Sequence, residues 1–184
     1  MHQLDYYTSN AGKFMDKTLM MINDLKKKKL IKDYAIGGGI AAMFYIEPIL
    51  TYDLDVFVIT PKGGKSGKVI NLTSLYDFLE KKKCTWRGEH IIVKGVPVQF
   101  IPVDELEEEA VRSAKVMRYK GVHTKVITPE YLVAIFLRAG RKKDLEKVER
   151  LLTQADIEMK KLKKIVHAYG LEKKLSSIMR GKNA

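Results

Sequence analysis

Three consecutive glycines, Gly37-Gly38-Gly39, and two aspartates, Asp53 and Asp55, stand within one short stretch, and their residue types suit one chemistry. Glycines entering a helix let backbone N–H groups approach a phosphate, and the helix N-terminus adds partial positive charge. Along a strand, side chains at i and i+2 share a face, so Asp53 and Asp55 can grip one divalent cation between them. A phosphate cradle beside a cation site is the minimum equipment for nucleotide chemistry. The alternatives are a plain tight turn for the glycines and strand-end polarity for the acids. Aspartate is depleted in strands and costly to bury unpaired, so two of them directly ahead of Val56-Phe57-Val58 call for a reason.

The flanking sequence supplies the elements that would position these groups. Tyr34 to Ile36 reads as a short strand, Gly37 to Gly39 as the turn and Ile40 to Ile46 as a buried helix. Leu54 to Thr60 is a second strand, apolar enough for a sheet interior. Ahead of them, Ser9 to about Leu30 is an amphipathic helix with Phe14, Leu19, Ile22 and Leu25 near helical spacing; Met15, Met20 and Met21 are assigned to the core. It ends in Lys26 to Lys29, a solvated terminus that suits the helix dipole, with a nucleic-acid contact as the alternative. Pro61 to Gly67 is a loop whose Gly-Gly-Lys-Ser-Gly-Lys string lacks the leading glycine of a P-loop.

Asn71 to Lys83 is a second amphipathic helix, and Glu89 to Lys94 with Val96 to Ile101 forms a hairpin turning at Gly95. Pro97 predicts an edge or end position in its strand. Asp104 to Lys115 is a charged helix and Val122 to Ile127 a further strand. Thr128-Pro129-Glu130 opens a helix with a capping residue, proline in the first turn and an acid behind it. Everything beyond is helical: Tyr131 to Leu137, Leu145 to Leu152, a helix capped by Asp156 and running to about Tyr169, and Leu171 to Met179. The chain divides softly into an α/β core, 1–127, and a helical region, 128–184, packed on it.

A net charge of +12 predicts an anionic partner, and from Arg141 onward 13 Lys and Arg face 6 Asp and Glu. The lone cysteine, Cys84, reads as a small, partly buried residue at a strand start and favours a reducing cytoplasm. The first residues do not resemble a signal peptide, and the longest apolar run, Tyr34 to Ile46, is too short for a bilayer, so no membrane role is expected. His90 and His123 lack a second ligand at zinc-like spacing and read as strand-surface residues. Trp86 and the scattered tyrosines read as core or rim.

Four segments together resemble the nucleotidyltransferase-fold superfamily, the one containing DNA polymerase β. They are Ile36-Gly-Gly-Gly-Ile-Ala, Thr51-Tyr-Asp-Leu-Asp-Val, Gly95-Val-Pro-Val-Gln-Phe-Ile-Pro102, and Thr128-Pro-Glu-Tyr-Leu-Val-Ala-Ile with Ala139-Gly-Arg-Lys-Lys-Asp144. Within it the resemblance is nearest to the AbiEii-type nucleotidyltransferase toxins and related bacterial and archaeal proteins. It implies a mixed β-sheet flanked by helices with a C-terminal helical extension, and transfer of a nucleoside monophosphate from a triphosphate to an acceptor hydroxyl, RNA or tRNA included. Gly37, Gly38, Gly39 and Thr51 would line the nucleotide site. Asp53 and Asp55 would ligate Mg²⁺ or Mn²⁺, and Arg141 and Asp144 match a motif that contacts the triphosphate. Pairing of Arg141 with Asp144, at i and i+3, is the plainer alternative. Gln99 stands where the third catalytic carboxylate is expected; it offers a neutral carbonyl oxygen but cannot take up a proton, and Glu89 or Asp104 are the acids that could replace it. Lys147 stands where toxin relatives carry a further acid. The resemblance leaves three readings: an active transferase, a catalytically silent nucleotide- or RNA-binding module, and one component of a toxin–antitoxin pair acting through a protein partner.

Overall fold

A computed structural model describes residues 11–61 and 72–181. The loop from Pro61 to Gly67 therefore lies almost wholly outside the described residues, as do Ser9 and Asn10. Among the described residues the architecture is one mixed seven-stranded sheet with helices packed on it. The strands are β1 (Asp33–Ile36), β2 (Leu54–Ile59), β3 (Thr85–Arg87), β4 (His90–Val93), β5 (Val96–Pro102), β6 (Lys115–Tyr119) and β7 (Val122–Val126), in the order β3-β4-β5-β2-β1-β7-β6. The helices are α1 (Ala11–Lys27), α2 (Gly38–Ala42), α3 (Thr73–Lys81), α4 (Glu105–Arg112), α5 (Pro129–Ala139), α6 (Lys142–Gln154), α7 (Met159–Ala168) and α8 (Glu172–Gly181).

Three hydrogen-bonded pairings build the centre of the sheet. β1 and β2 run antiparallel with Ile36 opposite Val56, β2 and β5 run parallel with Asp55 opposite Gln99, and β4 and β5 form the expected hairpin. The hairpin turn is Lys94-Gly95, both with positive φ (52° and 86°), the backbone of a two-residue turn whose twist matches the strands. That turn fixes the register, Val93 opposite Val96 and Ile91 opposite Val98. β2 is buried almost throughout, as its apolar run predicts.

Several expectations change. β5 is an interior strand, so Pro97 is not on an edge; it stands at the strand's end, one residue before pairing with β2 begins at Val98, where a missing N–H breaks no bond to β2. The helix expected to run to Lys115 stops at Arg112, and Lys115 starts β6, an exposed edge strand too short to register in the sequence pattern. β3 is a similar short edge strand, and it follows buried Cys84, the residue read as a strand start. The helix after the glycines is shorter than expected and takes Gly38 and Gly39 into its first turn. Asp156 is not a cap: α7 begins at Met159 after Glu158, whose N–H donates to Glu130. Met15 and Met21 are buried, but Met20 is 55% exposed.

α5 is buried along nearly its whole length, from Pro129 to Leu137, because it packs on α2, α4, α6 and α7 at once. A helix apolar all round is what such a position requires. It ends at Gly140, and α6 follows directly, so that the first turn of α6 is delivered beside α2. Among the described residues no helix is long and apolar enough to cross a membrane.

Candidate active site

The glycine turn and the aspartate pair do converge. Gly37 N–H donates to the Asp55 carbonyl at 2.9 Å, tying the turn to β2. A Cβ on Gly38, whose φ is +57°, would lie 1.7 Å from Asp55 Oδ2, and one on Gly39 would lie 2.8 Å from Thr51 Oγ1. The glycines therefore let α2 sit directly on the side chains of Thr51 and Asp55, a packing role that the phosphate argument alone does not contain. Gly38 and Gly39 line a cleft of about 650 Å³ together with Thr51, Asp53, Asp55 and Gln99. Gly37 does not line it; a Cβ there would meet the Phe57 ring at 2.1 Å.

α6 forms the opposing wall. Its Lys143, Lys147 and Arg150, at helical spacing, all line the cleft with Arg141 and Asp144. Asp144 is fully buried, accepts from Arg141 Nε and Lys147 Nζ, and also sits in the first turn of its helix, where a negative charge is favoured. Burial works against its ionisation, yet those two hydrogen bonds outweigh it and hold the carboxyl below its usual range. Lys147 additionally lies over the Phe136 ring at 5.1 Å. Both sequence readings of Arg141 and Asp144 thus coexist: they pair with each other and they line the cleft. Lys147, read as a departure from the toxin pattern, is the second cation on Asp144.

Asp55, on β2, is in the opposite condition. Burial, and then the neighbouring Asp53, push the Asp55 carboxyl from 3.8 up to about 6, while Lys147, Arg141 and His90 pull it down. Asp53 is held from both sides. His90 Nε2 stands 3.2 Å from Asp53 Oδ2, and the Thr51 hydroxyl donates to Oδ1 over 3.5 Å. His90, expected to be an isolated surface residue, is therefore a neighbour of the acids that the sequence reading missed. The hairpin held the signal: with Lys94-Gly95 as the turn, counting back from Val93 and forward from Val96 sets His90 against Gln99.

Neither proposed substitute for the third acid lines the cleft. Asp104 caps α4 through Leu106 N–H and pairs with both oxygens to Arg138 Nη1. Glu89 lies in the exposed turn between β3 and β4. Gln99 does occupy the neighbouring strand directly opposite Asp55. Among the described residues no three His, Cys, Asp or Glu side chains are arranged to hold a metal ion. The donor set is instead two carboxylates with an amide oxygen alongside. Hard oxygen donors of that kind fit Mg²⁺ or Mn²⁺, and Mg²⁺ is commonly held by one or two carboxylates with waters and substrate phosphates completing the shell.

No family model matches the sequence, and no curated protein sequence does. Solved structures do match the fold. An antigenic nucleotidyltransferase-like protein from Paracoccidioides brasiliensis superposes with a TM-score of 0.53 at 14% identity, covering 95% of this chain and 94% of that one. The chain has the nucleotidyltransferase fold. The antibiotic-resistance factor ANT(2″)-Ia is similar in its solution structure, with a TM-score of 0.50 and 12% identity over 93% of this chain and 98% of that one. The same factor in complex with adenylyl-2″-tobramycin matches with a TM-score of 0.50 and 13% identity over 84% of this chain and 96% of that one. At such identities the nucleotidyltransferase fold is what these likenesses establish, and the site must be argued from this chain's own residues.

Proposed function

We propose that the chain binds the divalent-metal complex of a nucleoside triphosphate in the cleft between β2 and α6 and moves the nucleoside monophosphate to an acceptor hydroxyl. The acceptor oxygen forms a bond to the α-phosphorus and gives up its proton to solvent, the bond from that phosphorus to the bridging oxygen breaks, and pyrophosphate leaves. The observation that carries this reading is the opposition of unlike charge across one cleft of the nucleotidyltransferase fold: Asp53 and Asp55 on one wall, Arg141 and Lys147 on the other. Burial and the neighbouring Asp53 raise the cost of ionising Asp55, and a cation between the two carboxylates would lower it. Asp53 and Asp55 would hold that cation, which on binding supplies charge neutralisation at the phosphoryl oxygens. Gly38 and Gly39 bring the α2 backbone to the β- and γ-phosphates, and Arg141 and Lys147, aimed by Asp144, neutralise the same groups. Lys143 and Arg150 extend the cationic wall toward an acceptor that carries phosphates, and tRNA is the RNA to test first.

Isothermal titration with ATP, CTP, GTP and UTP, with and without Mg²⁺, tests the binding claim. Metal-dependent heat with at least one of them, lost in the Asp53→Ala/Asp55→Ala double variant, is expected; no such heat from any of the four refutes it.

A second reading has its own observation. Gln99, directly opposite Asp55, brings neither charge nor a proton acceptor to the position of the third acid. General-base help is worth roughly 10²–10⁴-fold, so its loss slows transfer without abolishing binding. Incorporation of label from α-³²P triphosphates into RNA separates the two. Binding without transfer, unchanged by Gln99→Asp, favours a silent nucleotide-binding module; transfer switched on by Gln99→Asp identifies the missing carboxylate as the limiting part. The toxin–antitoxin reading is decided by growth arrest on expression, relieved by a protein partner.

A further inference from the structure

We propose that His90 is a positioning residue for the cation site, holding the Asp53 carboxylate in the pose in which it meets the ion. The role rests on the reading of Asp53 and Asp55 as that site. β4 and β5 pair with Ile91 opposite Val98, and one further step of that register sets His90 opposite Gln99. Gln99 is itself opposite Asp55 on β2. Imidazole, amide and carboxylate therefore form one row across three neighbouring strands, and His90 reaches along it to Asp53 Oδ2 at 3.2 Å.

A carboxylate in its ionised form only accepts, so the imidazole donates to it from Nε2. With the Thr51 hydroxyl on Oδ1, both oxygens of Asp53 are engaged from the protein side. Each oxygen keeps a further lone pair for a cation. Outer hydrogen bonds of this kind aim metal-ligating carboxylates and are worth roughly 10–100-fold in metal affinity. The need for aim is large here. Gln99 adds no charge, and no third acid or imidazole among the described residues completes a ligand cluster, so the site depends on how two carboxylates are oriented. His90 acts on the ion through Asp53, not as a ligand.

Titration of Mn²⁺ into the full chain with a non-hydrolysable ATP analogue, followed by the electron paramagnetic resonance of free Mn²⁺, reads this role. His90→Ala and the bulkier donor-free His90→Phe weaken Mn²⁺ binding roughly 10–100-fold, whereas His90→Gln, which restores an N–H near the Nε2 position, returns it to within about threefold of wild type. In the unaltered protein, ¹⁵N resonances of the His90 ring at about pH 8 place the proton on Nε2. Unchanged Mn²⁺ affinity in the Ala and Phe variants, equal loss in the Gln variant, or a proton on Nδ1 overturns the role while leaving the site intact. A wild-type protein that binds no Mn²⁺ overturns the site and this role together.

Discussion

Asp55 and Asp144 are the same residue type, lining the same cleft, and their surroundings push them in opposite directions. Asp144, fully buried at the start of α6, receives hydrogen bonds from Arg141 and Lys147 and is held below the usual carboxylate range. Asp55, pressed against Gly38 on β2, is pushed up to about 6 by burial and then by its neighbour Asp53. One carboxylate has its cations built in. The other is arranged to want one. Burial alone therefore does not mark a functional acid: Asp144 uses its charge to organise two cations, whereas the charge on Asp55 is left for something the protein itself does not supply.

Breaking each acid should therefore break different things. The largest effect falls on metal-dependent triphosphate binding. Asp55→Ala lowers it by more than about 100-fold, while Asp144→Ala, which frees Arg141 and Lys147 from their shared anchor, lowers it about tenfold. Isothermal titration measures both, and equal losses would erase the distinction. Next comes Gly38→Ala. Its Cβ would lie 1.7 Å from Asp55 Oδ2 at a φ of +57°, so the carboxylate must move. Destabilisation by more than about 1 kcal/mol in urea unfolding, with loss of metal-dependent binding, is expected. Gly39→Ala, which meets the Thr51 side chain, Oγ1 at 2.8 Å and Cβ at 3.0 Å, without a positive φ, is the milder control.

Stability without metal sharpens the comparison further. Asp144→Ala leaves Lys147 without its anion and costs about 1–3 kcal/mol, less than breaking a fully buried ion pair because Arg141 is largely exposed and can hydrate. Asp55→Asn is neutral or stabilising near neutral pH. The pH dependences have opposite signs. Asp144, lowered on folding, contributes stability that is present above 3.8 and is lost as pH falls through its folded value. Asp55, raised on folding, binds a proton more readily when folded, so stability falls as pH rises between 3.8 and about 6. Urea midpoints across that range, compared between wild type and Asp55→Asn, show this fall disappearing in the variant. The smallest effect belongs to Lys147→Met: triphosphate affinity drops about three- to tenfold while Mn²⁺ binding without nucleotide is unchanged.

Half of this comparison was legible in the residues. Gly38 ahead of a buried helix and Asp53-x-Asp55 leading into an apolar strand need only local periodicity, and the central strands follow from the same patterns. The opposed wall needed more. That Arg141 and Asp144 line one cleft with Asp55 depends on the turn at Gly140 delivering α6 beside α2, a long-range event that local periodicity does not carry and that only the family resemblance of the Arg141–Asp144 segment implies. β3 shows only through Cys84 as a strand start and β6 not at all, because short exposed edge strands bury too little to alternate; Lys115 and its neighbours read equally well as the tail of a charged helix. His90 lies 37 positions from Asp53 in sequence, and only the two-residue turn at Lys94-Gly95 links them, by fixing which residues face each other across the hairpin.

The most direct test is a crystal structure grown with Mn²⁺ and a non-hydrolysable nucleoside triphosphate, with the ion located by its anomalous scattering. A peak between the Asp53 and Asp55 carboxylates is expected, with the phosphates running from the α2 backbone at Gly38 toward Arg141 and Lys147. An ion bound elsewhere, or a triphosphate that leaves both aspartates uncontacted, would contradict it.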